Sequence, residues 1–551
     1  MNRISSTGDG IFLDEHAGLY SIVADAATRH PQRPSVGAGV SGPVWTCAEL
    51  DAGALALASK FLGLGMQAGD RLAVLGRTSL DWVLIDLAAL AIGVVIVPVY
   101  PTSSDSQIAH IVGDSGAVFF AAETAEDAVR LRRAGAADVL CFADISGWSS
   151  TGEHPELGDR VAAVRQADTA MIVYTSGTTG PAKGCVLTHG NVYASSANTV
   201  LQTGDLFGGG SGAQAVTVHA LPLSHVFGQT ILFACLFGGS RTHLLGSMPE
   251  LVPALAEIAP TFLALVPYAL EKIRKAAPAL SGAKGVAVQD DADSSMFGGR
   301  LRNVISGGAS LDDTTVDFFA DRGVRILNCY GMTETATAAT VNRVQDNKLG
   351  SVGRPIPGTS VGIADDGEVL IRGANVSPGY WGAAADRSAV DSDGWLHSGD
   401  IGQLDTDGFL RITGRKKEIL VTAGGKNVAP TPLEDRLRLH PVVSNCMVLG
   451  DGRSFVAALV TLDASAHARW LQTHSSADAG PTSPELLAEL QSAVDDANSL
   501  VSRAESIRAF RVVDGDFTTR DGLLTSSLKL RRRVIEDTYR SVVEDMYSDR
   551  V

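Results

Sequence analysis

Tyr174-Thr175-Ser176-Gly177-Thr178-Thr179-Gly180-Pro181-Ala182-Lys183-Gly184 puts three glycines, four Ser/Thr hydroxyls and a lysine between two apolar runs. Glycine lets a backbone fold tightly and turn its N–H groups inward. Hydroxyls add donors, and Lys183 adds a mobile positive charge. Such a loop is equipped to hold a polyphosphate. It is not a Walker A loop, which needs Gly before Lys, Ser or Thr after it, and then a helix. Here Ala182 precedes Lys183, Gly184 follows, and residues 185–187 read as a strand, as do residues 171–174 before the loop. From this segment alone, a ligand-free Gly/Thr hairpin remains open.

Further segments carry groups suited to nucleotide chemistry. His225 lies in Leu221-Pro222-Leu223-Ser224-His225-Val226-Phe227-Gly228, among small and aromatic neighbours. Ser306-Gly307-Gly308-Ala309-Ser310 follows an apolar strand, the place where α/β sheets bind ligands. Cys329-Tyr330-Gly331-Met332-Thr333-Glu334-Thr335 offers an aromatic face, a hydroxyl and a carboxylate after another strand. Trp395-Leu396-His397-Ser398-Gly399-Asp400 sets a carboxylate after a glycine turn, suited to two ribose hydroxyls. Leu528-Lys529-Leu530-Arg531-Arg532-Arg533 presents a lysine before a basic run. Only 10 of the 45 basic residues are lysines, so each lysine in such a position carries weight. Each segment alone could be a turn, a cap or a solvated surface.

The elements that must position these groups follow from periodicity. Residues 46–64 read as an amphipathic helix capped by Thr46, 71–75 as a strand, 81–92 as a helix, 94–97 as a buried strand, 105–115 as a helix capped by Ser104, and 117–121 as a strand. Alternation of this kind predicts parallel strands covered by helices. Residues 130–169 read as polar and irregular, and 276–298 as a surface insertion. After Gly350 come short strands with Gly and Asp turns, a smaller β subdomain. Gly414-Arg415-Lys416-Lys417-Glu418 marks the main boundary, giving domains 1–415 and 416–551.

With 551 residues the chain exceeds a single core. A net charge of −16 argues against a nucleic-acid partner. Six scattered cysteines without a CxxC pair point to a reducing cytoplasm. The apolar run 87–99 is too short to span a bilayer and reads as a buried helix entering a strand.

Taken together and in this order, the motifs resemble the adenylate-forming superfamily of acyl-CoA synthetases, peptide-synthetase adenylation domains and beetle luciferases. The match runs over residues 45–533. Leu420-Val421-Thr422-Ala423-Gly424-Gly425-Lys426-Asn427-Val428-Ala429-Pro430 and Gly522-Leu523-Leu524-Thr525 are closest to bacterial long-chain fatty acid–CoA ligases. The resemblance implies an α/β fold: a large N-terminal domain of two α/β layers plus a small β subdomain, and a smaller mobile α+β C-terminal domain. It implies that ATP and a fatty acid give acyl-AMP and pyrophosphate, and that coenzyme A then takes the acyl group. Thr175, Ser176, Gly177, Thr178, Thr179, Gly180 and Lys183 would hold phosphates; Glu334 would bind Mg²⁺ and Thr333 the α-phosphate. Tyr330, Gly331, Gly308 and Ala309 would flank the adenine, Asp400 and Arg415 the ribose. His225 would sit where carboxylate meets phosphate. Lys529 would be the lysine of the first step, Lys417 the hinge, and Gly424 with Lys426 part of the loop that approaches the pantetheine arm. An apolar acyl site is expected along 226–237 and 262–268, with Gly228 and Gly238-Gly239 leaving room. A carrier protein as acceptor, a non-catalytic acyl-adenylate-binding protein, a medium or specialised acyl chain, peripheral membrane contact, and monomer or homodimer all stay open.

Overall fold

Thr46 ends a short strand and starts the first long helix, Cys47–Gly63. In this computed structural model its hydroxyl accepts from the N–H of Glu49, whose carboxylate accepts from the N–H of Thr46. Two otherwise orphaned donors at the helix start are thereby satisfied. Ser104 and Thr188 cap Asp105–Ser115 and His189–Thr203 in the same way. The structure describes residues 3–146, 153–175, 182–282, 296–309, 311–382, 389–474, 483–525 and 529–548.

The chain forms two compact units. The first comprises residues 1–309, 316–398 and 404–411. A seven-stranded sheet within it has the order Gly379–Tyr380, Lys183–Thr188, Thr169–Thr175, Val95–Val99, Arg71–Leu75, Phe119–Ala122, Leu140–Cys141. Val95–Val99, Arg71–Leu75 and Phe119–Ala122 run parallel, as the alternating pattern requires. The helix Leu80–Ala91 is buried nearly throughout and feeds Val95–Val99 through Gly93, whose φ of 75° makes the turn. Asp86 lies inside that helix and is fully buried.

Two more sheets complete the layers. One is ordered Val216–His219, Arg241–Leu244, Pro34–Ala38, Val44–Thr46; the other starts with parallel Phe262–Leu265, Asn303–Ser306 and Arg325–Tyr330. Arg3–Ser6, Thr359–Ile363 and Glu368–Gly373 are antiparallel neighbours, the expected small β portion. The described parts of 130–169 are more ordered than expected: they hold the end of helix Ala125–Arg133, then Phe142–Ser146 and Leu157–Ala163. Short segments separated by Gly and Pro leave no run long enough for periodicity to register. The expected insertion at 276–298 is entered by the helix Pro267–Gly282.

The second unit comprises residues 310–315, 399–403 and 412–551. Its sheet joins Val443–Leu449, Val456–Leu462 and Ile507–Val512, with helices Pro430–Arg438 and Pro484–Asn498 contributing to the same core. Among the described residues, no helix is long and apolar enough to cross a membrane.

Candidate nucleotide site

In the first unit the Gly/Thr loop joins two antiparallel strands, with Thr175 opposite Lys183 as the last pair before the loop. Ser176, Gly177, Thr178, Thr179 and Gly180 lie outside the described residues. Both strands of the hairpin are held from outside. His110 Nε2 lies 2.8 Å from the Ala182 carbonyl, and Tyr174 donates to Asp114 at 2.7 Å. A Cβ on Gly184 would come within 2.6 Å of Ile172, so this glycine is required by packing.

Gly308-Ala309 and Tyr330-Gly331 leave the carboxyl ends of adjacent parallel strands, Ser306 pairing with Asn328. Gly308 has a φ of 91°, closed to most side chains. A Cβ on Gly331 would meet the Thr337 carbonyl oxygen at 1.5 Å. Thr333-Glu334-Thr335 forms a single 3₁₀ turn, after which Ala336 and Thr337 take positive φ, 47° and 94°. That strained turn is pinned from outside: Thr230 donates to the Ala336 carbonyl at 2.9 Å, Asn375 to that of Ala338 at 3.0 Å, and the Ser377 N–H to that of Glu334 at 2.8 Å. Backbone strain held by surrounding bonds is typical of functional turns.

His225 caps the helix Val226–Gly238, its Nδ1 accepting from the Phe227 N–H at 3.0 Å. The neutral ring therefore carries its proton on Nε2. Tyr100 meets the ring edge-on at 6.1 Å.

Tyr380 belongs to this site although its residue type and spacing did not single it out. Its hydroxyl donates to Glu334 Oε1 at 2.6 Å, and Lys183 Nζ stands 5.1 Å from its ring centroid. Burial, reinforced by the Glu334 charge, pushes the phenol well above its usual range. The available signal was Pro378-Gly379-Tyr380-Trp381, two aromatics directly after a turn pair. Glu334 offers a hard oxygen ligand, and no cluster of three or more His, Cys, Asp or Glu suited to a metal occurs among the described residues. One carboxylate fits Mg²⁺ that arrives on nucleotide phosphates, since that ion is held through one or two carboxylates plus substrate oxygens.

The room expected at Gly228 and Gly238-Gly239 needs correction. The segment 226–237 is a helix whose Leu232, Phe233 and Leu236 pack into one core and Phe227, Ile231 and Ala234 into another. Gly228 leaves no room: a Cβ there would lie 2.2 Å from the Pro222 carbonyl, and one on Gly238 2.5 Å from Phe207. On Gly239 a Cβ would lie 2.2 Å from Arg33. These glycines admit close packing instead.

In the second unit Arg415 Nε donates to Asp400 Oδ1 at 2.9 Å, and Asp400 is buried. The pair is thus assembled from strands Leu396–Leu404 and Leu410–Arg415, with Gly399 at φ 72° inside the first strand rather than in a turn before it. Lys417 follows in an exposed turn. Ala423 to Lys426 turn the hairpin Leu420–Val421/Asn427–Val428; Gly425 takes the positive φ of 75°, and Lys426 pairs with Glu505 at 3.5 Å. Gly424 has open surroundings, with Thr422 at 3.9 Å its nearest neighbour. Lys529 is exposed, its backbone tied to Thr525 by two bonds of 2.8 and 3.0 Å. It precedes the helix Arg532–Thr538 rather than starting it, and Arg532 is not part of an exposed basic face: it pairs with Glu434 at 2.6 Å.

Residues 23–381 match the family model described as AMP-binding enzyme, and residues 417–551 that of the AMP-binding enzyme C-terminal domain. The chain is 37% identical to the long-chain-fatty-acid–CoA ligase FadD15 of Mycobacterium bovis, over 92% of this chain and 93% of that protein. It is 28% identical to the long-chain-fatty-acid–CoA ligase ACSBG2 of Gallus gallus, over 89% and 76%. In fold it is similar to o-succinylbenzoate CoA synthetase of Bacillus subtilis in complex with its acyl-adenylate, with a TM-score of 0.74, 22% identity, and coverage of 94% and 97%. With the hairpin, the carboxyl-end loops and both family models in register along one chain, the protein belongs to the AMP-binding enzyme family.

Proposed function

We propose that the protein joins a long-chain fatty acid to coenzyme A at the expense of ATP. In the first half-reaction the carboxylate attacks the α-phosphorus, forming acyl-AMP and releasing pyrophosphate. In the second, the thiol of coenzyme A attacks the acyl carbonyl, loses its proton, and expels AMP. The observation that carries this reading is the meeting of Lys183 and Glu334 on one tyrosine at the end of the Gly/Thr loop. A cation and an oxygen ligand side by side are what a metal-bound polyphosphate requires.

The residue roles are those that the resemblance to adenylate-forming enzymes implies. Thr175 to Gly180 and Lys183 hold the β and γ phosphates, and Thr333 the α-phosphate. Glu334 would hold Mg²⁺, which would supply positive charge against the phosphates. Tyr330, Gly331, Gly308 and Ala309 flank the adenine, Asp400 and Arg415 the ribose, and His225 Nε2–H is a donor where carboxylate and phosphate approach. Lys529 stabilises the crowded charge of the first step. Lys417 is the hinge between domains 1–415 and 416–551, and Gly424 with Lys426 serves the second step. Six cysteines, all without a disulfide partner, support a reducing cytoplasmic setting.

Lys529→Ala tests the division of labour. Acyl-AMP formation should fall by roughly 100-fold or more, while transfer from supplied acyl-AMP to coenzyme A stays substantial. Equal loss in both would refute the assignment. Thioester formation across fatty acids of increasing length, with coenzyme A and a carrier protein compared as acceptors, tests the substrates. Accumulation of acyl-AMP in the presence of coenzyme A would favour the carrier-protein ligase.

A further inference from the structure

Tyr380 stands where the outgoing strand of the Gly/Thr hairpin, the Glu334 turn and Lys183 come together. Its two-residue strand, Gly379–Tyr380, pairs antiparallel with the outgoing strand of the Gly/Thr loop, setting Tyr380 opposite Cys185. The next residue, Trp381, donates its N–H to the Gly184 carbonyl at 2.7 Å and its indole N–H to the Asp114 carbonyl at 3.2 Å. Just before the strand, Ser377 donates its N–H to the Glu334 carbonyl and its hydroxyl to that of Val186 at 2.7 Å. Backbone bonds on both sides therefore fix where the Tyr380 ring can lie. From that position the ring presents its face to Lys183 and its hydroxyl to Glu334.

The two contacts use different parts of one side chain. An ammonium is attracted to the face of an aromatic ring by its quadrupole. A phenol donates one hydrogen bond, and a carboxylate has about four acceptor positions, so Glu334 keeps acceptor capacity for a cation. Mg²⁺ demands near-ideal octahedral geometry, and a ligand carboxylate is oriented by the groups that hydrogen-bond it.

We propose that Tyr380 is a positioning residue of the nucleotide site: its hydroxyl sets the Glu334 carboxylate for the metal, and its ring sets Lys183 for the phosphates. This rests on the assignment of Glu334 and Lys183 made above. Metal and phosphate binding are thereby mechanically joined through one side chain, without Tyr380 touching the reacting atoms.

The test is calorimetric binding of ATP at graded Mg²⁺, with no acyl substrate, to wild type, Tyr380→Phe, Tyr380→Leu and Glu334→Gln. Tyr380→Phe keeps the ring and loses the hydroxyl. It should raise the Mg²⁺ concentration for half-maximal ATP binding about 10-fold and leave metal-free ATP binding unchanged. Tyr380→Leu should show the same shift and also weaken metal-free binding, because Lys183 loses its aromatic face. Glu334→Gln should remove the Mg²⁺ dependence. If Glu334→Gln kept that dependence, the metal assignment itself would be wrong. If Glu334→Gln removed it while Tyr380→Phe bound like wild type, the assignment would stand and the positioning role would fall. Loss of metal-free and metal-supported binding alike in Tyr380→Phe would also overturn the proposal, marking the hydroxyl as a general prop.

Discussion

Gly331 shows how one missing carbon shapes the site. A methyl group there would collide with the Thr337 carbonyl, and Thr335, whose hydroxyl holds the turn, is also close at 2.9 Å. Gly331→Ala must move the turn that carries Thr333 and Glu334. A displacement near 1 Å at a reacting group costs on the order of 100-fold in rate. We expect Gly331→Ala to lower acyl-AMP formation by about that factor and to lower the melting temperature as well; unchanged adenylation kinetics would refute this. Asp86 is the other telling residue. Burial pushes its carboxyl up to about 8, the facing Gln229 amide holding it down only in part. An unfolded aspartate titrates near 4, so between those pH values the native chain holds the extra proton. Stability is therefore retained at low pH and falls as pH rises toward 8, by up to ~1.4 kcal/mol per unit. Asp86→Asn should lose less melting temperature than wild type between pH 5.5 and 8.5. An equal loss would mean that Asp86 is already ionised at the lower pH.

At the scale of elements, Arg532 joins three segments of the second unit. It forms a two-pronged pair with Glu434 at 2.6 and 2.7 Å and reaches Glu418 at 3.5 Å. Burial would depress its guanidinium, but Glu434 and Glu418 outweigh that and hold it raised. Glu434 is also buried and accepts from the Val448 N–H. Removing the arginine leaves a buried carboxylate uncompensated, which costs about 3–5 kcal/mol. Arg532→Met should lower the stability of the second unit by that amount in urea unfolding. Adding Glu434→Gln, which keeps an acceptor for Val448, should restore part of it; additive losses would show that the pair is not the cause. Helix and strand limits around such groups were legible in sequence where a cap stood beside a periodic run, as at Thr46 and Ser104. They were not legible at 130–169, because each element there is too short to repeat its own period.

At the scale of the molecule, every described hydrophobic core is confined to one unit. Cores around Leu90, Phe262 and Val97 lie in the first, and those around Leu490 and Leu459 in the second. Separate cores predict separate cooperative transitions. Calorimetry should resolve two transitions, and residues 416–551 expressed alone should reproduce one of them. A single transition with an unfolded fragment would show that the C-terminal cores need the rest of the chain.

The types and order of the chemical groups were readable along the chain: the Gly/Thr loop, Glu334, Asp400 with Arg415, and Lys529. Residue type carries charge, donor count and permitted φ, and these are local properties. Tertiary structure decided which groups meet. Asp400 and Arg415 are brought into one ion pair from two strands. Gly228 and Gly238 proved to be sites of close packing, since only a neighbour in space shows whether a missing side chain leaves a gap or a contact. Tyr380 entered for the same reason: 46 residues separate it from Glu334, and only a strand pairing brings its hydroxyl there.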